Sequence, residues 1–242
     1  MNTPAPRCFT LIPAAGVGAR LTGAMPKQYM PLAGKPMLQY ALDTFAASAA
    51  IAHTFVVVSA ADAYIDGFLA AQRQLTGKVS VMRCGGGTRQ ESVRNGLQAI
   101  REHASDDDWI LVHDAARPGL DAALLDRLIA ALRDDAVGGL LALPVVDTLK
   151  RCTGKKTMRV QETVPRDALW AAQTPQMFRY ALLHRALKEA QAQGCASDIT
   201  DEASAIEMLG LQPKLVQGNP RNFKVTLPHD IALAASFLQG QK

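Results

Sequence analysis

Short apolar runs alternate with segments of helical spacing through the first two-thirds of this chain, and that alternation constrains its fold more than any other feature. Residues 8–12 (CFTLI) and 55–59 (FVVVS) read as strands covered on both faces, because they are near-continuously apolar. Residues 79–83 and 109–112 are similar, and residues 139–146 (GLLALPVV) form a strand-like run with a proline near its end. Between them, residues 35–47 carry Met37, Leu38, Ala41, Leu42 and Phe45 at helical spacing. Pro36 suits the first turn of that helix. Residues 62–75, 90–103 and 121–134 also read as helices, with Asp62 and Asp121 as N-caps. Repeated strand–helix units imply an α/β fold: a Rossmann-like, mostly parallel sheet with helices on both faces.

The pattern breaks at residues 147–165 (DTLKRCTGKKTMRVQETVP), which are polar and lean towards β structure. They read as a projecting β-hairpin turning at Thr153-Gly154-Lys155, with exposed edges that need a partner; the alternative is a mobile charged loop. Beyond it come helices at 180–193 and 200–209, strands at 214–216 and 223–225, and a last helix at 228–239. With no internal repeat or low-complexity linker, residues 1–242 are expected to form a single domain, with 147–165 as an inserted arm.

Composition removes several classes of function. The formal net charge is only +4 and aromatic residues make up 5%, so neither a clustered basic face nor a base-stacking platform for nucleic acid is indicated. Cys8, Cys84, Cys152 and Cys195 are far apart and form no metal-ligand spacing, which argues against structural zinc and for reduced thiols in a cytoplasmic protein. Residues 1–12 lack a signal-peptide pattern, and no apolar run approaches the ~20 residues a membrane span needs.

Polar clusters follow the predicted strands, and in an open parallel sheet the carboxyl ends of strands face the ligand crevice. The first is Pro13-Ala14-Ala15-Gly16-Val17-Gly18-Ala19-Arg20, with Pro26-Lys27-Gln28 close behind. Small residues let the backbone approach a ligand, successive N–H groups favour anions, and Arg20 and Lys27 suit phosphate oxygens. A nucleoside triphosphate is the ligand this loop suggests; a plain Gly-containing turn is the alternative. It is neither a Walker A loop nor a full GxGxxG fingerprint, since Leu21 interrupts the latter. The other clusters are residues 85–92 (GGGTRQES), 113–118 (HDAARP) and 222–226 (NFKVT). Asp114 could hold Mg²⁺ through one oxygen while a triphosphate supplies others, or could simply cap a turn. Arg117 could reach a substrate phosphate or hydroxyl, or could be a solvated surface arginine. His113 reads as structural, because on a strand it points away from its neighbour.

The motifs PAAGxGxR, PKQY, HDAARP, Thr174-Pro175-Gln176, TDEA at 200–203 and NFKVT occur in order along nearly the whole chain. Together they resemble the 2-C-methyl-D-erythritol 4-phosphate cytidylyltransferase family. The resemblance implies CTP and a polyol phosphate as substrates, Mg²⁺ or another divalent cation, and a homodimer formed through the 147–165 arm. It implies that Arg20 and Lys27 stabilise the transition state and leaving pyrophosphate, and that Lys224 bridges the two substrates. Ala14, Ala15, Gly16, Gly86 and Ser92 would form the cytidine pocket, with Gly18, Asp114 and Ala115 beside it. Asp114 would contact both metal and substrate, and Arg117, Thr148, Arg166, Thr174 and Thr200 would contact the methylerythritol phosphate, Arg166 reaching the partner's site. Departures from the pattern are Gly87 and Arg221, where acidic residues can stand, and Phe223, in place of an aliphatic. A cytidylyltransferase for another polyol phosphate, such as ribitol 5-phosphate, is the alternative. A catalytically inactive nucleotide-binding regulator is disfavoured by retention of Arg20, Lys27, Asp114 and Lys224 together.

Overall fold

Residues 8–13 alternate their side chains between two apolar environments, and this makes them the centre of the fold. In β1 (Cys8–Pro13), Phe9 and Leu11 enter one core cluster while Cys8 and Ile12 enter the other. The same division recurs in β4 (Ile51–Val57), where Phe55 and Val57 face one side and Val56 the other, and in β6 (Trp109–Val112). A strand buried on both faces needs helices on both. One side receives α1 (Met37–Ala47) and α4 (Ala122–Leu132), through Leu38, Phe45, Leu125 and Leu128. The other receives α3 (Arg89–Ala99), α5 (Tyr180–Ala192) and α6 (Glu202–Glu207), through Val93, Leu97, Leu187 and Ile206. The computed structural model describes residues 5–16, 25–154 and 158–239.

The sheet also contains β5 (Val79–Met82), β7 (Gly139–Pro144), β10 (Trp170–Arg179) and β11 (Lys214–Gln217). Its order is β11-β7-β10-β6-β1-β4-β5. Every adjacent pair is parallel except the two that β10 makes, with β6 and β7. The carboxyl ends of β1, β4, β5 and β6 therefore share one edge. The chain passes from β1 to β4 on one side and later returns to β6 on the other, so the switch point lies beside β1.

A two-residue turn, Ala33 and Gly34 at φ 46° and 91°, joins β2 (Pro31–Leu32) to β3 (Lys35–Pro36). The arm appears as β8 (Leu149–Cys152) paired antiparallel with β9 (Val160–Val164), separate from the main sheet. Met158 and Val160 on the arm, and Val146 just ahead of it, are more than 60% exposed. The helix α7 (Pro228–Gln239) ends the described chain, at the bounds its sequence predicted.

Three expectations need correction. The helix expected at 62–75 is α2 (Ile65–Ala70) followed by a single 3-10 turn at Arg73–Leu75, because Gln72 leaves helical geometry at φ −115°, ψ 64°. The N-cap of α2 is Tyr64 rather than Asp62, which sits two residues earlier and accepts from the N–H groups of Tyr64 and Ile65 through Oδ1. Residues 223–225 are not a strand. Val225 donates one backbone bond to Ala116, and Phe223 meets the ring of Phe237 on α7, so these apolar side chains dock a helix rather than pair in a sheet. Finally, no strand is expected between the 147–165 arm and the helix at 180, yet β10 is ten residues long and runs between β6 and β7 inside the sheet.

Candidate active site

The loops after β1, β5 and β6 converge on a cleft of about 530 Å³. Its first wall is Ala14–Gly16. The Ala14 N–H donates to the Val57 carbonyl at 2.7 Å, and Gln28 Nε2 donates to the Ala14 carbonyl at 2.7 Å, tying this loop to the turn that carries Lys27. Among the described residues, a Cβ on Gly16 would meet nothing within 4 Å, which leaves that side of the backbone open to a ligand. Gly18 and Arg20 lie outside the described residues.

The second wall is Gly86–Arg89, which leads into α3. Thr88 caps that helix, its hydroxyl accepting from the Glu91 N–H at 3.0 Å. Ser92 receives the Gly86 N–H at 3.1 Å and donates to the Thr88 carbonyl at 2.9 Å, folding the glycine loop back over the first helical turn. The positive end of the helix dipole thus faces the cleft, a setting that favours anions. Gly85 lies against the first wall: a Cβ there would come 2.3 Å from the Ala15 Cβ and 2.8 Å from the Val58 carbonyl oxygen.

Asp114 and Ala115 form the floor, with Lys224 and Thr226 opposite. Asp114 is 6% exposed and surrounded by cations: Arg89 Nε lies 2.7 Å from Oδ1, Lys224 Nζ 2.9 Å from Oδ2, and Arg117 Nε 3.5 Å from Oδ2. Burial alone would raise its pKa. Arg89, Lys224 and Arg117 outweigh burial and hold the carboxyl well below the usual carboxylate range, so it is ionised. Lys27 enters from the side, its Nζ donating to the Val225 carbonyl at 3.2 Å.

Behind Asp114, residues 173–175 bulge out of β10: Ala172 pairs with Ala142 and Gln176 with Leu140, leaving three residues opposite one. The bulge is pinned by Asn222, whose Nδ2 donates to the Thr174 carbonyl at 2.7 Å, and by Arg117, whose Nη1 donates to the Asn222 carbonyl at 2.8 Å. Thr174 and Arg117 therefore support the floor and lie outside the cleft lining. His113 is fully buried against Phe45, and burial pushes its pKa down to about 4, so its ring is neutral. It is structural, as its place beside Asp114 suggested.

Among the residues singled out from sequence, Ala14, Ala15, Gly16, Lys27, Gly86, Ser92, Asp114, Ala115 and Lys224 line the cleft together. Thr200 is exposed ahead of α6, where its N–H donates to Ser204 Oγ at 3.0 Å. Thr148 and Arg166 are exposed at the base of the hairpin, with Arg166 donating to the Val146 carbonyl. Two further residues, which no sequence motif marks as functional on its own, belong to the site. Arg89, on the cleft wall, makes a two-point ion pair with Glu202 at 2.7 and 3.0 Å in addition to its contact with Asp114. Both stood inside motifs, GGGTRQES and TDEA, but nothing local reveals that the two motifs meet. Among the described residues, no three His, Cys, Asp or Glu side chains converge as a metal cage.

The comparisons with known proteins agree with this geometry. The family model described as 2-C-methyl-D-erythritol 4-phosphate cytidylyltransferase (IspD) matches residues 8–240. A protein of that name from Paraburkholderia phytofirmans is 54% identical over 235 residues, 96% of each chain. A crystal structure of a 4-diphosphocytidyl-2C-methyl-D-erythritol synthase is 42% identical with a TM-score of 0.82, covering 96% of this chain and 99% of the other. A Francisella tularensis 2-C-methyl-D-erythritol 4-phosphate cytidylyltransferase structure is 33% identical with a TM-score of 0.78, over 94% and 98%. With its switch-point cleft, its cation-ringed Asp114 and this match along nearly its full length, the chain belongs to the 2-C-methyl-D-erythritol 4-phosphate cytidylyltransferase family.

Proposed function

We propose that this chain transfers a cytidylyl group from CTP to 2-C-methyl-D-erythritol 4-phosphate, giving 4-diphosphocytidyl-2-C-methyl-D-erythritol and pyrophosphate, a step of non-mevalonate isoprenoid biosynthesis. An oxygen of the acceptor phosphate attacks the α-phosphorus of CTP. The new P–O bond forms as the bond from the α-phosphorus to the bridging oxygen breaks, and pyrophosphate leaves. The attacker is already an anion, so no general base is needed, and catalysis reduces to positioning and charge neutralisation. The observation that carries this reading is the charge pattern of the cleft. Lys27, Arg89 and Lys224 line it around one ionised carboxylate, and the nearest histidine, His113, is buried and neutral.

On this reading Ala14, Ala15, Gly16, Gly18, Gly86 and Ser92 hold the nucleotide, with Asp114 and Ala115 at its edge. Arg20 and Lys27 neutralise charge at the reacting phosphorus and on the leaving group. Lys224 and Asp114 receive the acceptor, Thr200 stands at its edge, and Arg117 and Thr174 hold Asp114 in place from behind. The Asp114 carboxylate is a hard oxygen donor at the cleft floor, which fits a Mg²⁺ ion held by one carboxylate with triphosphate oxygens completing its shell. When bound, the metal would add positive charge along the triphosphate.

The 147–165 arm is read as a dimerisation element of a single nucleotidyltransferase domain, carrying Thr148 and Arg166 to a second copy's site. The separation of β8 and β9 from the main sheet and the exposed Met158 and Val160 support that reading, because a lone hairpin is marginally stable in water. A cytoplasmic location fits a biosynthetic enzyme with four free cysteines and no described helix long and apolar enough to cross a membrane.

Pyrophosphate release, measured for each ribonucleoside triphosphate against methylerythritol, ribitol and glycerol phosphates, tests the function. CTP with methylerythritol phosphate should turn over far faster than any other pair. Equal or faster turnover with ribitol 5-phosphate would move the acceptor assignment, and no turnover with any pair would overturn the reading.

A further inference from the structure

The side chains around Asp114 differ in how firmly they are held. All three guanidinium nitrogens of Arg89 are committed to carboxylates: Nε to Asp114 Oδ1 at 2.7 Å, Nη1 to Glu202 Oε1 at 2.7 Å and Nη2 to Glu202 Oε2 at 3.0 Å. Glu202 is 2% exposed and is the first residue of α6, while Arg89 is the first residue of α3. Fork-to-fork pairing fixes the plane of a guanidinium as well as its position. One side chain therefore locks the start of α3, the start of α6 and the loop after β6 into a single arrangement. Lys224 is different. It meets Asp114 Oδ2 as a point charge on a flexible stem, and its side chain is 39% exposed at the cleft.

We propose that Arg89, gripped by Glu202, is a positioning residue that holds the Asp114 carboxylate in register, leaving Lys224 as the counter-ion that exchanges Asp114 for an incoming phosphate. This rests on the cytidylyltransferase reading above. Charge supports the division of labour. Glu202 offsets the charge of Arg89, so Arg89 has little left for a phosphate, whereas Asp114 is shared with Arg117 and can release Lys224 without being stranded. Arg89 thus acts through Asp114, with no bond to the reacting atoms.

The test compares wild type with Arg89→Lys, Glu202→Gln, Asp114→Asn and both Asp114→Asn double variants. Readouts are kcat, KM for each substrate, CTP binding by calorimetry and thermal melting. Lysine cannot make the fork, so Arg89→Lys should lower kcat about 100-fold, the scale of an ångström-sized misplacement. CTP affinity should stay within about threefold, because the Arg89 guanidinium is already committed to Asp114 and Glu202 and has little left for the triphosphate. Neither double variant should be slower than Asp114→Asn alone, since a residue acting through Asp114 has nothing further to lose once that carboxylate is gone. Multiplying losses in the double variants, or CTP affinity falling in step with kcat, would overturn the proposal. Should Arg89→Lys fold poorly, the isosteric Glu202→Gln and its double variant give the same reading. Wild-type turnover separates the two hypotheses: its absence defeats the function, and its presence with multiplying losses defeats only the role of Arg89.

Discussion

The backbone N–H of Asp114 donates to the hydroxyl of Thr174 at 3.0 Å, across 60 residues of sequence. That hydroxyl also lies 3.1 Å from His113 Nδ1, while Nε2 of the same ring lies 3.2 Å from the Arg117 carbonyl. A carbonyl only accepts, so Nε2 carries the proton of the neutral ring and Nδ1 accepts from Thr174. The Thr174 oxygen is then left to accept from Asp114. Thr174→Val removes this relay and strands a buried N–H at a cost of about 2 kcal/mol, or roughly 4–8 °C in Tm for a chain of this length. Thr174→Ser should retain both Tm and turnover. A valine variant that loses activity at unchanged Tm would mean the hydroxyl serves the substrate alone.

Lys27 reaches the cleft from a short 3-10 turn, lining it rather than packing in the core, and donates to the Val225 carbonyl. Lys27→Ala should therefore melt within a few degrees of wild type while turnover falls by about 10²–10³, the usual cost of removing one preorganised charge-stabilising donor. Near-normal kcat would remove Lys27 from the reacting centre.

Two glycines should separate packing from ligand approach. A Cβ on Gly85 would collide with Ala15 and the Val58 carbonyl, so Gly85→Ala should cost about 1–3 kcal/mol and weaken CTP binding together. Among the described residues, a Cβ on Gly16 meets nothing within 4 Å, so Gly16→Ala should leave Tm alone and weaken only CTP binding. Calorimetric titration with parallel melts reads both, and a Gly16→Ala variant that binds CTP normally would place the triphosphate elsewhere.

Burial pushes the Cys8 thiol from an ordinary 9.0 up to about 11. The folded thiol stays neutral where the unfolded one ionises, so this contribution is intact below pH 9 and lost as pH rises towards 11. The full loss is roughly 3 kcal/mol. Cys8→Ala should flatten that alkaline decline in urea-measured stability, and an identical slope in the variant would refute the assignment. At pH 8, exposed Cys152 should react with a thiol reagent well before Cys8.

What could be read from sequence was whatever depends on local pattern. The strand β1 was legible because both its faces are apolar, and the cleft loops because small residues next to cations have few other uses. The strand β10 was not, since Gln173-Thr174-Pro175 breaks its pattern and its antiparallel place is set by neighbours far away in sequence. Residues 223–225 carried strand-like side chains that are spent on α7. The ion pair of Arg89 with Glu202 joins residues 113 apart, and only the folded sheet edge brings them together.

The last prediction concerns the arm. Arg166 and Thr148 stand at the base of a hairpin outside the main sheet, and neither lines the cleft of its own chain. If each arm completes the site of a second copy, an Arg166→Ala chain carries an intact cleft but a defective arm, and a Lys27→Ala chain the reverse. A mixed dimer then contains one site in which a sound cleft meets a sound arm. Mixing the two inactive variants should restore up to about a quarter of wild-type activity, since half the dimers are hybrids and each has one good site of two. Subunit exchange is followed independently with differently tagged chains. Exchange without recovery would show that Arg166 serves its own chain, and the arm would then be a dimer contact with no part in the neighbouring site.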